Sequence, residues 1–189
     1  MGKKPLTKIQ IQQLRKIVKG NPLHELLLNL SIDLMLRSSD LRSLKVSDVL
    51  NPSGTVKESV SVKQIKTGKR TLSMPLMDNS RNAIADHLSS RSQDDYVFSG
   101  NKSNYTKQPI TTQQYGRIVK GWMVKLGVED VSDFSTHSMR KSKATAIYES
   151  THDVDAIRRL LGQSSVIATS AYLGVTDNSA LELAKSINL

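Results

Sequence analysis

The sequence contains no cysteine. That absence excludes a disulfide framework, a thiolate zinc site and a cysteine nucleophile together. Long apolar runs are also missing. Stretches such as Leu26 to Leu28 are far too short to span a bilayer. The first residues do not read as a secretory signal, and Met1-Gly2 is followed by Leu6 where N-myristoylation would want Ser or Thr. The expectation is a protein of the cytoplasm with no membrane partner. Acidic residues are outnumbered, with 17 Asp and Glu against 27 Lys and Arg, which leaves a net charge of +10 over 189 residues. Neither an internal repeat nor a low-complexity linker breaks the chain.

What is there reads as one folded domain spanning residues 1–189. Hydrophobic residues make up 38% and charged residues 23%, enough to build a core and to exclude wholesale disorder. The positive excess points to a polyanion, most often nucleic acid. Thr7 with Gln10 forms a capping-box pattern, and Ile11, Leu14 and Val18 share one helix face. Gly20 and Pro22 end that helix and start another, apolar on nearly every side from Leu23 to Leu36, as a buried central helix would be. A short helical turn runs from Ser39 to Leu44. Val56, Val60 and Val62 then alternate with polar residues, Thr67-Gly68 turns the chain, and Leu72, Met74 and Leu76 alternate again. This pattern predicts a β-hairpin, whose second strand Pro75 limits to an edge or an end. Helical spacing resumes from Asp78 to Ser90 and from Thr112 to Leu126, with an irregular stretch between that is anchored by Tyr96, Val97 and Phe98. Further helices are predicted over Ser138–Glu149, Asp153–Leu161, Val166–Leu173 and Asn178–Ile187. The fold class is therefore mainly α with a small antiparallel β-sheet.

Several polar residues stand at positions that could carry chemistry. Arg37 ends the apolar helix, where a surface arginine paired with Asp40 is the plain alternative. Lys66 lies at the hairpin tip, where a solvated basic turn is the commoner explanation. His137 and Arg140 are spaced i, i+3, which places imidazole and guanidinium on one helix face, either in a satisfied core network or in a site. A lone tyrosine such as Tyr172 is ordinarily a packing residue.

In this order the elements gain meaning. Leu36-Arg37-x-x-Asp40-Leu41, Lys66-Thr67-Gly68 with Pro75 downstream, Thr136-His137-Ser138-Met139-Arg140, Leu160-Leu161-Gly162 and finally Tyr172 closely resemble the catalytic domain of tyrosine recombinases, the phage and plasmid integrase family. The resemblance runs from about Thr7 to the C-terminus. It implies that fold and site-specific DNA recombination or integration, by strand cleavage and rejoining through a covalent 3′-phosphotyrosine. Tyr172 would be the nucleophile, keeping the bond energy in its phosphate ester so that neither ATP nor a metal is needed. Arg37 and Arg140 would hold the equatorial oxygens on which the transition state gathers charge. His137 would transfer a proton or orient the phosphate, and Lys66 would protonate the 5′-oxygen leaving group. No cofactor is expected, and a site without clustered carboxylates suits metal-free chemistry.

Two departures accompany the resemblance. Gln163 stands where the family usually has histidine, and an amide donates a hydrogen bond but cannot shuttle a proton. Only 36 residues precede Arg37, so the family's helical core-binding domain is missing from this sequence, as in a short member or a fragment. The expected partners are double-stranded DNA, further copies in a synaptic complex and accessory DNA-bending proteins. Residues 177–189 are expected as a C-terminal helix able to dock on a neighbouring copy, with packing on its own domain as the alternative. The rival functions are a silent DNA-binding accessory factor and a type IB topoisomerase-like enzyme.

Overall fold

Capping side chains set most of the helix starts. In the computed structural model, which describes residues 2–99 and 108–186, Thr7 accepts from the Gln10 amide while the Gln10 side chain accepts from the Thr7 amide. That box opens α1, Lys8–Val18. Asn21 caps α2, Pro22–Leu34, with Pro22 in its first turn, where a missing N–H costs nothing. From Leu26 to Leu34 every residue of α2 is buried. Each fully buried Leu or Ile contributes about 1.5–3 kcal/mol relative to exposure, so this one helix anchors the core.

The central helix is shorter than its apolar pattern predicts. It stops at Leu34 because Met35, itself buried, takes a left-handed conformation at φ 47°. Arg37 therefore does not end α2. It stands in extended backbone as the N-cap of α3, Ser38–Arg42. A further short helix, α4 at Val46–Val49, follows where the sequence pattern indicated none.

The predicted hairpin is present with short strands. β1, Ser59–Val60, pairs antiparallel with β2, Met74–Pro75, in the register Ser59 to Pro75 and Val60 to Met74. Toward the tip the ladder continues as a Lys63–Arg70 bridge, and Gly68 at φ 68° closes the turn. Pro75 lies at the strand end, where its missing donor is tolerated.

Helix α5, Asp78–Leu88, packs on α2. Val97 and Phe98 are buried as predicted, whereas Tyr96 is only half-buried and bridges Lys45. Helix α6, Thr112–Leu126, opens on a Thr111–Gln114 capping box and buries Tyr115, Val119 and Trp122. A 3₁₀ turn at Val131–Asp133 leads into α7, Thr136–Thr151, which lies against α2. The amide of Leu6 donates to Ser142 Oγ of α7 at 2.9 Å, tying the N-terminal segment to that helix. Helices α8 (Val154–Leu161), α9 (Val166–Leu173) and α10 (Asp177–Ser186) complete the chain.

Helix α9 is apolar almost throughout, yet only Thr169 of it is fully buried. Val166, Ile167, Ala168 and Ala171 face outward, and Ile167 is 83% exposed. On α10, Leu181 and Ala184 of the expected apolar stripe are exposed too, while Ile187 lies outside the described residues. Among the described residues, no helix is long and apolar enough to cross a membrane.

Candidate active site

Four segments converge on one end of α7. Arg140 is 5% exposed on that helix, and its Nη2 donates to the Leu161 carbonyl at the end of α8, 2.7 Å away. Burial first, and the neighbouring Arg37 charge second, pull its pKa down to about 10, so it remains a cation at neutral pH. Arg37 approaches from the start of α3. Its Nη1 is buried, has no hydrogen-bond partner, and lies 3.9 Å from Asp40 Oδ2. That spacing is an ion pair but too long for a hydrogen bond. The two guanidiniums are near enough to repel, and the Asp40 carboxylate offsets part of that charge without hydrogen-bonding to Arg37. Like charges in a desolvated place repel, and an anion between them would relieve the repulsion.

Tyr172 completes the constellation from α9. Its hydroxyl oxygen is buried beside the Arg140 guanidinium, close enough for that group to act on it by charge and by hydrogen bonding, although no hydrogen bond of ideal geometry forms. Burial pushes the phenol above its usual range, and the Arg140 charge offsets part of that rise. Lys141, next along α7, places its ammonium 5.7 Å from the Tyr172 ring centroid.

Asp40 connects this centre to the hairpin. It is fully buried, and its Oδ1 accepts from the Ile65 amide at 2.9 Å. Lys66 therefore projects, exposed, from a turn whose backbone is fixed to the partner of Arg37. A second contact clamps the same turn: a Cβ placed on Gly162 would lie 2.5 Å from Gln64 Nε2. Gly162 also sits at φ 61°, so the Leu160-Leu161-Gly162 bend requires glycine for both its backbone and its neighbour.

Gln163 follows that bend. Its backbone is pinned to Arg158, and its side-chain oxygen lies 2.7 Å from the Thr169 hydroxyl, which donates to it. The same hydroxyl is 2.9 Å from the Ser165 carbonyl, so one proton is shared between two acceptors, with the shorter contact to Gln163. The amide NH₂ of Gln163 is left as a donor.

His137 is the residue the structure does not bring in. It occupies the first turn of α7, where its backbone amide is capped by Ser135 Oγ at 3.2 Å, and its side chain is exposed. The i, i+3 spacing puts it one turn from Arg140, but one residue faces solvent and the other the core. The sequence offered Asp40 as a partner of Arg37, a pairing present here at 3.9 Å, but not its hold on the hairpin, and it gave no sign of Gln64, Lys141 and Thr169. The contacts of Asp40, Gln64 and Lys141 join segments that are distant in sequence, and that of Thr169 spans a bend between two helices; no local periodicity reports such pairings. Among the described residues, no cluster of three or more His, Asp or Glu could hold a metal ion.

A helical domain in which two arginines and a tyrosine converge beside a basic hairpin has the arrangement of a phosphodiester-processing enzyme. The chain belongs to the phage integrase family, whose sequence profile matches residues 4–179. Among its relatives is a probable integrase/recombinase, YoeC, of Bacillus subtilis, 26% identical over 179 residues, covering 89% of this chain and 92% of that protein. Another is the tyrosine recombinase XerD of Oceanobacillus iheyensis, 26% identical over 146 residues, covering 75% of this chain and 46% of the relative. The chain thus spans nearly all of the first relative but about half the length of the second. Of solved structures, the XerA recombinase superposes with TM-score 0.74 at 18% identity, over 98% of this chain and 66% of its own. A Tn1549 transposon integrase in complex with transposon right-end DNA gives TM-score 0.72 at 17% identity, over 99% and 67%. These likenesses bear out the mainly helical recombinase fold. The relatives are named integrases and recombinases, which favours that side over a topoisomerase.

Proposed function

We propose that this chain breaks and rejoins DNA strands at specific sites through a covalent 3′-phosphotyrosine at Tyr172. The observation that carries the proposal is the pair Arg37 and Arg140, two buried guanidiniums with one carboxylate, Asp40, near them, and the Tyr172 hydroxyl beside Arg140. A scissile phosphate seated between the guanidiniums would take donors that now have no acceptor, and the in-line attack of Tyr172 would displace the 5′-oxygen. Lys66, on its tethered hairpin, is proposed to protonate that oxygen. His137 is proposed to reach the phosphate from the first turn of α7, with DNA bound over its exposed side chain. Gln163 would donate its amide NH₂ to a phosphoryl oxygen. The chain is further proposed to act in the cytoplasm, to assemble with other copies on DNA, and to work with DNA-bending proteins. The exposed Leu181 and Ala184 of α10 support docking of that helix on a neighbour.

The test is incubation with nicked suicide DNA carrying candidate sites, followed by a denaturing gel. Wild type should give a covalent adduct and Tyr172→Phe none, with folding and DNA binding unchanged. An adduct surviving in Tyr172→Phe would remove the assignment. Gln163 is the site residue that favours the silent accessory factor. If the chain is active, Gln163→Ala should lose about ten- to a hundredfold in cleavage, the worth of one contact of about 1–3 kcal/mol. Gln163→His should then equal or exceed wild type. No adduct in wild type, with rescue by Gln163→His, would establish the accessory factor instead.

A further inference from the structure

We infer that Lys141 is a positioning residue for Tyr172, holding the ring by its charge and easing ionisation of the phenol. The inference rests on Tyr172 as the nucleophile proposed above, but its first test does not need DNA.

The two flanks of Tyr172 are built by consecutive residues of α7. Arg140 acts on the hydroxyl end, and Lys141 holds its ammonium over the ring 5.7 Å from the centroid. That separation is within the range at which a cation is attracted to the negative face of an aromatic ring. Partial burial also keeps the Lys141 pKa below the usual lysine range, and a cation that has given up part of its hydration binds a π-face more strongly. No hydrogen bond or ion pair joins Lys141 to another described residue. Its charge is therefore not spent on a carboxylate.

The other charges on the packed elements are accounted for. On α8, Arg158 and Arg159 both pair with Asp155. On α7, Lys143 pairs with Asp33 of α2, and beyond Arg140 lie Arg37 and Asp40. Among the described residues, Arg140 offers positive charge to the hydroxyl and Lys141 offers it to the ring. A tyrosinate carries its negative charge into the ring, so the attraction of Lys141 grows as the proton leaves. A cation at this distance in a partly wet site lowers a phenol pKa by about half a unit to one unit.

The experiment compares wild type, Lys141→Met and Lys141→Arg. Methionine keeps the length of the stem and removes the charge, whereas arginine keeps the charge. The Tyr172 phenol is titrated in the free protein through ¹³Cζ-labelled tyrosine, with Tyr172→Phe identifying the resonance. Lys141→Met should raise the phenol pKa by about half a unit to one unit, and Lys141→Arg should restore it. Single-turnover adduct formation on nicked DNA should slow about three- to tenfold in Lys141→Met near pH 7 and recover as the pH approaches the phenol pKa. An unchanged titration in Lys141→Met, or an equal shift in Lys141→Arg, would overturn the inference. A weaker DNA affinity and a shallower salt slope with unchanged titration would make Lys141 a simple phosphate contact, which also overturns it. The expected titration with no adduct from any variant, wild type included, would instead refute strand cleavage and leave Lys141 in its role toward the ring.

Discussion

At the scale of single residues, the two arginines of the site differ in what else they do. Arg140 holds the buried end of α8 through the Leu161 carbonyl, whereas Arg37 Nη1 has no hydrogen-bond partner. Alanine at either position should reduce strand cleavage by about 10²–10⁴-fold, as loss of a charge-stabilising donor does elsewhere. Their effects on stability should separate. Arg140→Ala leaves a buried carbonyl without its donor, at a cost of about 1–3 kcal/mol that a melting curve would register. Arg37→Ala removes a like charge from the neighbourhood of Arg140 but also takes the ion-pair partner from the buried Asp40, so the two effects oppose and the melting temperature should fall less than in Arg140→Ala. Equal destabilisation by both would show that Arg37 is also part of the structural framework. Loss of DNA affinity in proportion to loss of cleavage would make both of them simple phosphate contacts.

At the scale of elements, the bend after α8 is the place where backbone and packing demands coincide. Gly162→Ala forces a side chain into the left-handed region, at about 1–2 kcal/mol, and pushes it against Gln64. The melting temperature should fall by about 2–8 °C or more. Gly174→Ala is the natural comparison, since φ there is 83° but nothing lies within 4 Å of the added Cβ. The Gly162 variant should lose more stability than the Gly174 variant, and Gln64→Ala in the Gly162→Ala background should recover the difference alone. If the two glycine variants melt alike, the Gln64 contact contributes nothing.

The start of α2 carries a pH dependence. Trp122 Nε1 donates to His24 Nδ1 at 3.3 Å, a bond that only the neutral imidazole can accept. Burial, with help from the Lys125 charge, holds the His24 pKa below 6.5. The unfolded chain thus takes up this proton at higher pH than the folded one. The stabilisation is complete above 6.5 and declines as the pH falls below it, levelling off once folded His24 is protonated too. His24→Phe should flatten the melting profile between about pH 5 and 7. The single tryptophan of the chain should report the same transition in its fluorescence.

These elements also mark what the sequence could reveal. The start of α1 was legible because Thr7 caps its own backbone, and that of α2 because Gly20 and Pro22 flank it. The ends of α8 and α9 were legible too, where Gly162 and Gly174 take the left-handed conformation. The end of α2 was not, because Leu34-Met35-Leu36 is unbroken apolar sequence and the left-handed turn falls on a methionine. For α7, the motif placed Arg140 within the helix, but Ser135 caps it so that it begins at Thr136, two residues before the predicted start. The site residues were recognisable as a set through family resemblance. The grip of Asp40 on Ile65, and of Thr169 on Gln163, depends on how distant or looped segments meet, which residue spacing does not encode.

For the whole molecule, charge decides how DNA is held. A domain with net charge +10 should bind DNA mainly by releasing counterions. Affinity should fall by about 10³-fold or more between 50 and 200 mM salt, with a straight line of log affinity against log salt. Nanomolar binding that ignores salt would contradict this and would require extensive base contacts.

The outward face of α9 answers to the opposite rule. Val166, Ile167, Ala168 and Ala171 present hydrocarbon to water within a few residues of Tyr172. Contact between such faces strengthens when a kosmotropic salt is added, because the salt is excluded from apolar surface. Ammonium sulfate should therefore drive the free chain toward self-association in sedimentation velocity while it strips the chain from DNA, and Ile167→Lys should abolish the first effect without altering the second. An unchanged sedimentation profile in sulfate would mean that α9 is not the contact face. Were both effects observed, ionic strength would be a dial that separates the grip on the nucleic acid from the grip of one copy on the next.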